Sequence, residues 1–280
     1  MNFKTYLMRV LTPMHIGAGT GLGYIDLPVY RESHTGFPAV PASAIKGVFR
    51  TEEIRKIAKE KSKKAKDIEE QLMEYDPEKE GNKNEYIERL YTLFGNQHKE
   101  GVVAFTDARI LYFPLKSLRG IFAYVTCPYV IKRFSEDTGE DVCEIEIPDK
   151  NICKVLNGSS VMVDTNDSKV VVLEEFTLKA EEEELILPAT GYIDKSRVAV
   201  VHDDLFTYFV KTFTEIQTHI KVSIETGTVE RGALWTEEYV PAESIFYFKV
   251  SDNYDIEAHK KIQIGGNSST GKGMVEVIKL

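Results

Sequence analysis

The segment Ile262–Leu280 reads I-Q-I-G-G-N-S-S-T-G-K-G-M-V-E-V-I-K-L, and its interpretation separates two fold classes. Within it, Gly266–Lys272 spells G-N-S-S-T-G-K, which follows the phosphate-binding pattern G-x-x-x-x-G-K-[ST] as far as the lysine. A working loop of that kind needs a strand before it, a Ser or Thr after the lysine, and then a helix whose N-terminus faces the phosphates. The short run IQI can be the strand. Lys272, however, is followed by Gly273, and Met274–Leu280 alternates like a strand. The segment therefore predicts a glycine loop joining two strands, not the opening of a parallel nucleotide-binding core. Small residues in such a loop leave backbone N–H groups free to form a concave anion nest. Glycine lets a ligand approach the backbone closely, and Lys272 adds a cation. A glycine-rich hairpin with no ligand fits the loop equally well.

Working outward, Phe3–Thr12 reads as a strand with Phe3, Thr5, Leu7 and Leu11 on one face. The next thirty or so residues are rich in glycine and proline and read as loop with short extended pieces. A helix follows, with Ser43 as N-cap and Ile45, Val48, Phe49 and Ile54 as its apolar stripe. Residues 51–100 read as a charged, helical, solvated insertion. Strands are expected near 101–126, 169–178 and 245–250, and a helix over Leu205–Phe213. Glu136–Asp167 is acidic and irregular. Residues 216–224 alternate, with Ile216, Ile220, Val222 and Ile224 on one side. Helices and strands mix without a regular βα alternation. The expected fold class is α+β with a largely antiparallel sheet in a single domain spanning 1–280.

The 280 residues carry a net charge of −9, which argues against a protein coated in positive charge for non-specific nucleic-acid binding. A local basic groove remains open. The three cysteines, Cys127, Cys143 and Cys153, form no C-x-x-C pair and read as core-filling thiols, so no metal ligands are assigned. No apolar run is long enough to span a bilayer and the N-terminal run lacks a signal-peptide core, so a cytoplasmic protein is expected.

A second glycine cluster, H-I-G-A-G-T-G-L-G-Y-I-D, follows the first strand. It does not fit the dinucleotide pattern in frame. Between the two glycine loops, S-A-I-K-G-V-F-R places Lys46 and Arg50 one helical turn apart. Two cations so placed repel mildly unless an anion lies between them, which favours a phosphate backbone there. Two solvated cations are the plain alternative.

The order H-I-G-A-G, D-L-P-V-Y-R, H-T-G-F-P, P-A-S-A-I-K-G-V-F-R and a C-terminal I-G-G-N-x-x-x-G-K-G closely resembles the RAMP superfamily of CRISPR proteins. More narrowly, it resembles the repeated backbone subunit of the type III-B (Cmr) effector complex. The resemblance is weakest at 51–93 and 135–200. It implies a ferredoxin-like (RRM-like) palm with helical and β-hairpin (thumb) insertions, the thumb being expected within 135–200. It implies copies stacked in a filament along a CRISPR guide RNA, beside other subunits of the complex. Each copy would cut single-stranded target RNA where the thumb interrupts the duplex, with a divalent metal ion (Mg or Mn) required. A non-catalytic guide-binding scaffold is the competing expectation.

By the same resemblance, Asp26 matches the cleavage aspartate, where a carboxylate near a 2′-hydroxyl orients or deprotonates it or holds a cation. His15, Glu237 and Tyr239 match further active-site positions. Lys46, Arg50, Gly265, Gly266, Asn267, Gly271 and Lys272 are the expected guide-RNA contacts. No aromatic pair of the RRM type is visible in the expected strands, so RNA would be held by backbone and shape.

Overall fold

The structure is a computed structural model that describes residues 2–21, 23–78, 84–189 and 191–280, without the side chain of Arg231. Part of the expected charged insertion, 79–83, lies outside the described residues. Fourteen strands and five α-helices make a mixed α+β fold among the described residues. Most strands belong to one large, mainly antiparallel sheet.

Strand β1 (Phe3–Val10) lies inside this sheet, between β12 (Ile245–Ser251) and β14 (Met274–Lys279). The expected one-sided alternation does not hold there. Tyr6, Leu7 and Met8 are all buried while Phe3 is exposed, because an internal strand covered on both faces buries successive residues. Tyr6 pairs with Phe248 across the ladder and their rings stack at 5.7 Å. On the far side of β12, β2 (Ala39–Val40) and β3 (Ala108–Lys116) continue the sheet toward β4 (Phe122–Thr126).

Helix α1 (Ala42–Glu60) starts earlier than the Ser43 cap predicts. Pro41 occupies the cap position, and the Asp107 carboxylate accepts the Ala42 N–H at 2.7 Å, so a distant side chain does the capping. Helices α2 (Ala65–Glu74) and α3 (Glu85–Phe94) pack against α1 through Ile54, Ile57, Ile68, Leu72, Ile87 and Leu90.

The region 135–200, where the thumb is expected, is rich in strands. After α4 (Pro128–Thr138), it supplies β5 (Ile152–Leu156), β6 (Met162–Asp164), β7 (Lys169–Leu173), β8 (Phe176–Glu183) and β9 (Val198–Val201), all joined to the large sheet. The acidic run expected to end a strand instead continues β8. Lys154 and Lys169 on neighbouring strands pair with Glu183 and Glu182 and offset the charge.

Helix α5 (Asp203–Thr212) leads into β10 (Glu215–Val222) and β11 (Val229–Tyr239). These two strands form the separate two-stranded sheet. The alternation read from the sequence is present, but its apolar face points outward. Ile216, Ile220 and Leu234 are 55%, 51% and 63% exposed. The tail forms β13 (Lys260–Gln263), the glycine loop and β14, as the absence of a following helix predicts. Among the described residues no helix is long and apolar enough to cross a membrane.

Candidate functional site

The root of the β10–β11 hairpin is where both glycine segments meet. Leu27 runs parallel to Glu237, and Met14 pairs with Val240. Gly273 N–H donates to Pro13 O at 3.0 Å and Gly266 N–H to His15 O at 2.9 Å. Gly265 has φ +87°, and a Cβ there would collide with the His15 carbonyl, so the close approach of the two segments requires glycine.

Asp26 is exposed and fixed to β11. Its Oδ2 accepts the Thr236 N–H at 2.8 Å and the Thr236 hydroxyl at 2.9 Å. The backbone donor first and the hydroxyl second hold the Asp26 carboxyl below its ordinary pKa. Thr236→Val removes the hydroxyl, so the Asp26 carboxyl should titrate at higher pH than in the wild type. A carbon-13 NMR titration of the side-chain carboxyl measures this, and an unmoved titration curve would contradict the assignment.

Glu237 and Tyr239 lie on the other face of β11 and are buried. Glu237 accepts the Tyr239 hydroxyl at 2.6 Å, the Trp235 indole N–H at 2.7 Å and the Asn267 amide. Burial pushes the Glu237 carboxyl pKa up, but these donors outweigh it and the net shift is downward. Burial, and then the Glu237 charge, push the Tyr239 hydroxyl up to about 12. Asn267 also donates to the Tyr239 oxygen at 2.9 Å, and Lys272 Nζ sits 4.9 Å from the Tyr239 ring centroid. Glu237 and Tyr239 thus clasp the glycine loop.

His15 is buried beside them, its ring 5.6 Å from that of Tyr239. Its Nδ1 lies 2.7 Å from the Glu238 carbonyl, which can only accept, so Nδ1 carries a hydrogen. Gly17 and Gly266 lie against the ring, and a Cβ at Gly17 would come to 3.0 Å from Nε2.

The glycine loop is less of a nest than its sequence suggests. The N–H groups of Gly266, Thr270, Gly271, Lys272 and Gly273 all donate to protein carbonyls. Lys46 and Arg50 lie on α1, and no contact joins them to the Glu237–Tyr239–Asn267 cluster among the described residues. Their charges are met locally. Lys46 Nζ donates to Val103 O at 3.0 Å, and Arg50 pairs with Glu69 at 3.0 Å.

A model of the RAMP superfamily matches residues 7–276. The chain belongs to the RAMP superfamily. This RAMP chain is 33% identical to the CRISPR system Cmr endoribonuclease Cmr4 of Pyrococcus furiosus, over 310 residues that cover 98% of the chain and 95% of the relative. It also resembles the crystal structure of oligomeric Cmr4 from Pyrococcus furiosus, with a TM-score of 0.64 and 25% identity, covering 100% of this chain and 99% of that one. The cryo-EM structure of the type III-B Cmr-beta bound to cognate target RNA contains a chain of the same fold, with a TM-score of 0.70 and 18% identity, covering 100% and 97%.

The sequence reading of this RAMP chain missed Thr236, Glu238 and Arg31. Glu238 is buried and organises the site from below. Its carboxylate pairs with Arg31 and accepts the Val29 N–H at 2.9 Å and the Thr214 hydroxyl at 2.7 Å. Arg31 also donates to Gly36 O and Val210 O, both at 2.9 Å. One signal was present. Adjacent glutamates in a strand face opposite ways, so in W-T-E-E-Y one of them must point into the body and meet a cation. His219, opposite Trp235 on the hairpin, was also missed. Its ring stacks on the indole at 5.4 Å, with Nε2 3.4 Å from the Tyr239 oxygen.

Proposed function

We propose that this chain is a guide-RNA-binding backbone subunit of a type III-B effector complex and an endoribonuclease that cuts target RNA at regular intervals. The observation that carries this reading is the setting of Asp26. It is an exposed, ionised carboxylate, and Thr236 pins it at the root of a hairpin whose outward face is apolar. Alternation puts Thr236 on the same face as Leu234, Ile216 and Ile220. That face is suited to wedge against base faces and interrupt a duplex, leaving one nucleotide splayed beside Asp26. The thumb function is therefore assigned to β10–β11. The names of the relatives, an endoribonuclease and a complex bound to target RNA, support the same conclusion. The strand order β14-β1-β12-β3, with α1 between β1 and β3, supports a ferredoxin-like palm.

In this mechanism the Asp26 carboxylate accepts the 2′-hydroxyl of the splayed nucleotide and aligns its oxygen with the adjacent phosphate. A stacked A-form duplex denies that in-line geometry, so positioning supplies much of the rate. A carboxylate held below the usual range is a weak base, so Asp26 orients the nucleophile and water takes its proton as the 2′-oxygen bonds to phosphorus, while the P–O5′ bond breaks and water protonates the departing 5′-oxygen. His15, Glu237 and Tyr239 are too enclosed to lead. They fix β11 against both glycine loops. Lys46 and the loop Gly265, Gly266, Asn267, Gly271 and Lys272 face the guide backbone. Arg50 joins them only when Glu69 releases it.

Among the described residues no group of three or more acidic, histidine or cysteine side chains forms a metal cage. The donor set suits a shared magnesium or manganese site instead, with one Asp26 oxygen and the remaining ligands from RNA and water. A bound divalent ion would neutralise charge on the scissile phosphate.

Assembled complexes given an end-labelled target RNA should release products differing by one constant interval. A single product, an irregular ladder, or no cleavage at all would overturn the proposal, and no cleavage would leave a filament scaffold.

A further inference from the structure

Between Lys56 and Lys66 the chain carries six lysines and one glutamate, in a protein of net charge −9. The run forms the last turns of α1 and the corner into α2. Lys59, Lys61, Lys63, Lys64 and Lys66 are all exposed. Among the described residues only Lys66 of this group meets a carboxylate, Glu70 at 3.5 Å.

The corner is also organised around one aromatic ring. Lys61 Nζ and Lys63 Nζ lie 5.8 and 5.5 Å from the centroid of Tyr86, and Lys63 Nζ donates to the Tyr86 oxygen at 2.8 Å. Two ammonium groups converging on one ring repel each other, and an anion set between them turns that repulsion into attraction. No large apolar side chain between Lys56 and Lys66 is exposed, so the corner lacks the anchor that a protein partner needs. Closely spaced cations with one aromatic among them fit alternating phosphates and bases.

We infer that the α1–α2 corner is a second RNA-docking surface, which takes the phosphodiester backbone of single-stranded RNA on Lys59, Lys61, Lys63 and Lys64 and a base on Tyr86. None of these residues contacts Asp26, β11 or the glycine loop among the described residues, so the surface does not depend on the cleavage proposal.

The test compares the chain with its K59Q/K61Q/K63Q/K64Q variant, using anisotropy of a labelled oligouridine over a range of salt concentrations. Each phosphate contact on single strands contributes about 0.7 to the slope of log affinity against log salt, so the variant should lose about 2 to 3 in slope. Its affinity at physiological salt should fall roughly tenfold or more. Tyr86→Leu should weaken binding without changing the slope. The lysines are exposed, so melting temperatures should match the wild type. An unchanged slope overturns the inference, including the case where affinity falls without it. So does an unchanged RNA slope with loss of binding to polyglutamate, which would assign the corner to an acidic protein segment. The binding slope is read without cleavage, so a failed cleavage assay and a failed docking surface read out separately.

Discussion

Replacing Asp26 with Asn should slow target-RNA cleavage by about 10²- to 10⁴-fold in assembled complexes. The substitution keeps the side-chain shape and an oxygen that can still accept the Thr236 N–H, but it removes the charge. Because Asp26 is exposed, its replacement should leave the melting temperature close to that of the wild type. Guide binding should be unchanged, since the guide contacts proposed above lie elsewhere. Single-turnover kinetics on a saturating target separate the two effects, because the chemical step falls while the half-saturating target concentration holds. Cleavage at the wild-type rate would remove Asp26 from the mechanism. Equal loss of guide binding and cleavage would make it a structural residue.

Glu238→Ala should destabilise the folded chain far more than Asp26→Asn does, by about 3–5 kcal/mol. It leaves Arg31 without its carboxylate in a largely buried position, and it orphans the Val29 N–H and the Thr214 hydroxyl. At about 2–4 °C per kcal/mol for a chain of this size, the melting temperature should drop by roughly 6–20 °C. Arg31→Met should cost a similar amount, because Glu238 is then the unpaired charge. The double variant Arg31→Met/Glu238→Leu should recover part of the loss, since an apolar pair can replace a buried ion pair at little net cost. Thermal unfolding followed by circular dichroism measures all three. A Glu238→Ala melting temperature within about 2 °C of the wild type would rule out this bond network as a keystone.

The sequence exposed some of this architecture and concealed the rest for identifiable reasons. The tail was legible because the strand-forming run Met274–Lys279 stands where a phosphate loop demands a helix. The hairpin alternation at Ile216 and Ile220 was legible, but which face would be buried was not. Period-2 patterning locates a strand, and its neighbours decide which side meets water. The strand expected to stop near 178 runs on to Glu183, because an acidic run looks solvated until the lysines that answer it, Lys154 and Lys169, are seen on adjacent strands. Ser43 was a reasonable cap by local rules, and Asp107 displaced it from 65 residues away. In the site, Asp26 came from family resemblance alone. Thr236, which sets its charge and place, could not be read because the contact spans 210 residues.

That separation has a consequence for how the protein comes into being. β1 is flanked by β12 and β14, and Met274 is fastened to Thr12 across 262 residues. During synthesis the first strand and the first glycine segment emerge early and find neither neighbour. They wait, with apolar side chains uncovered, until the last strands leave the ribosome. Contacts of such long range close slowly, and partly folded chains of this kind are prone to aggregate. The two halves of the Asp26 setting, Asp26 and Thr236, lie 210 residues apart, so they can meet only after most of the chain has been made.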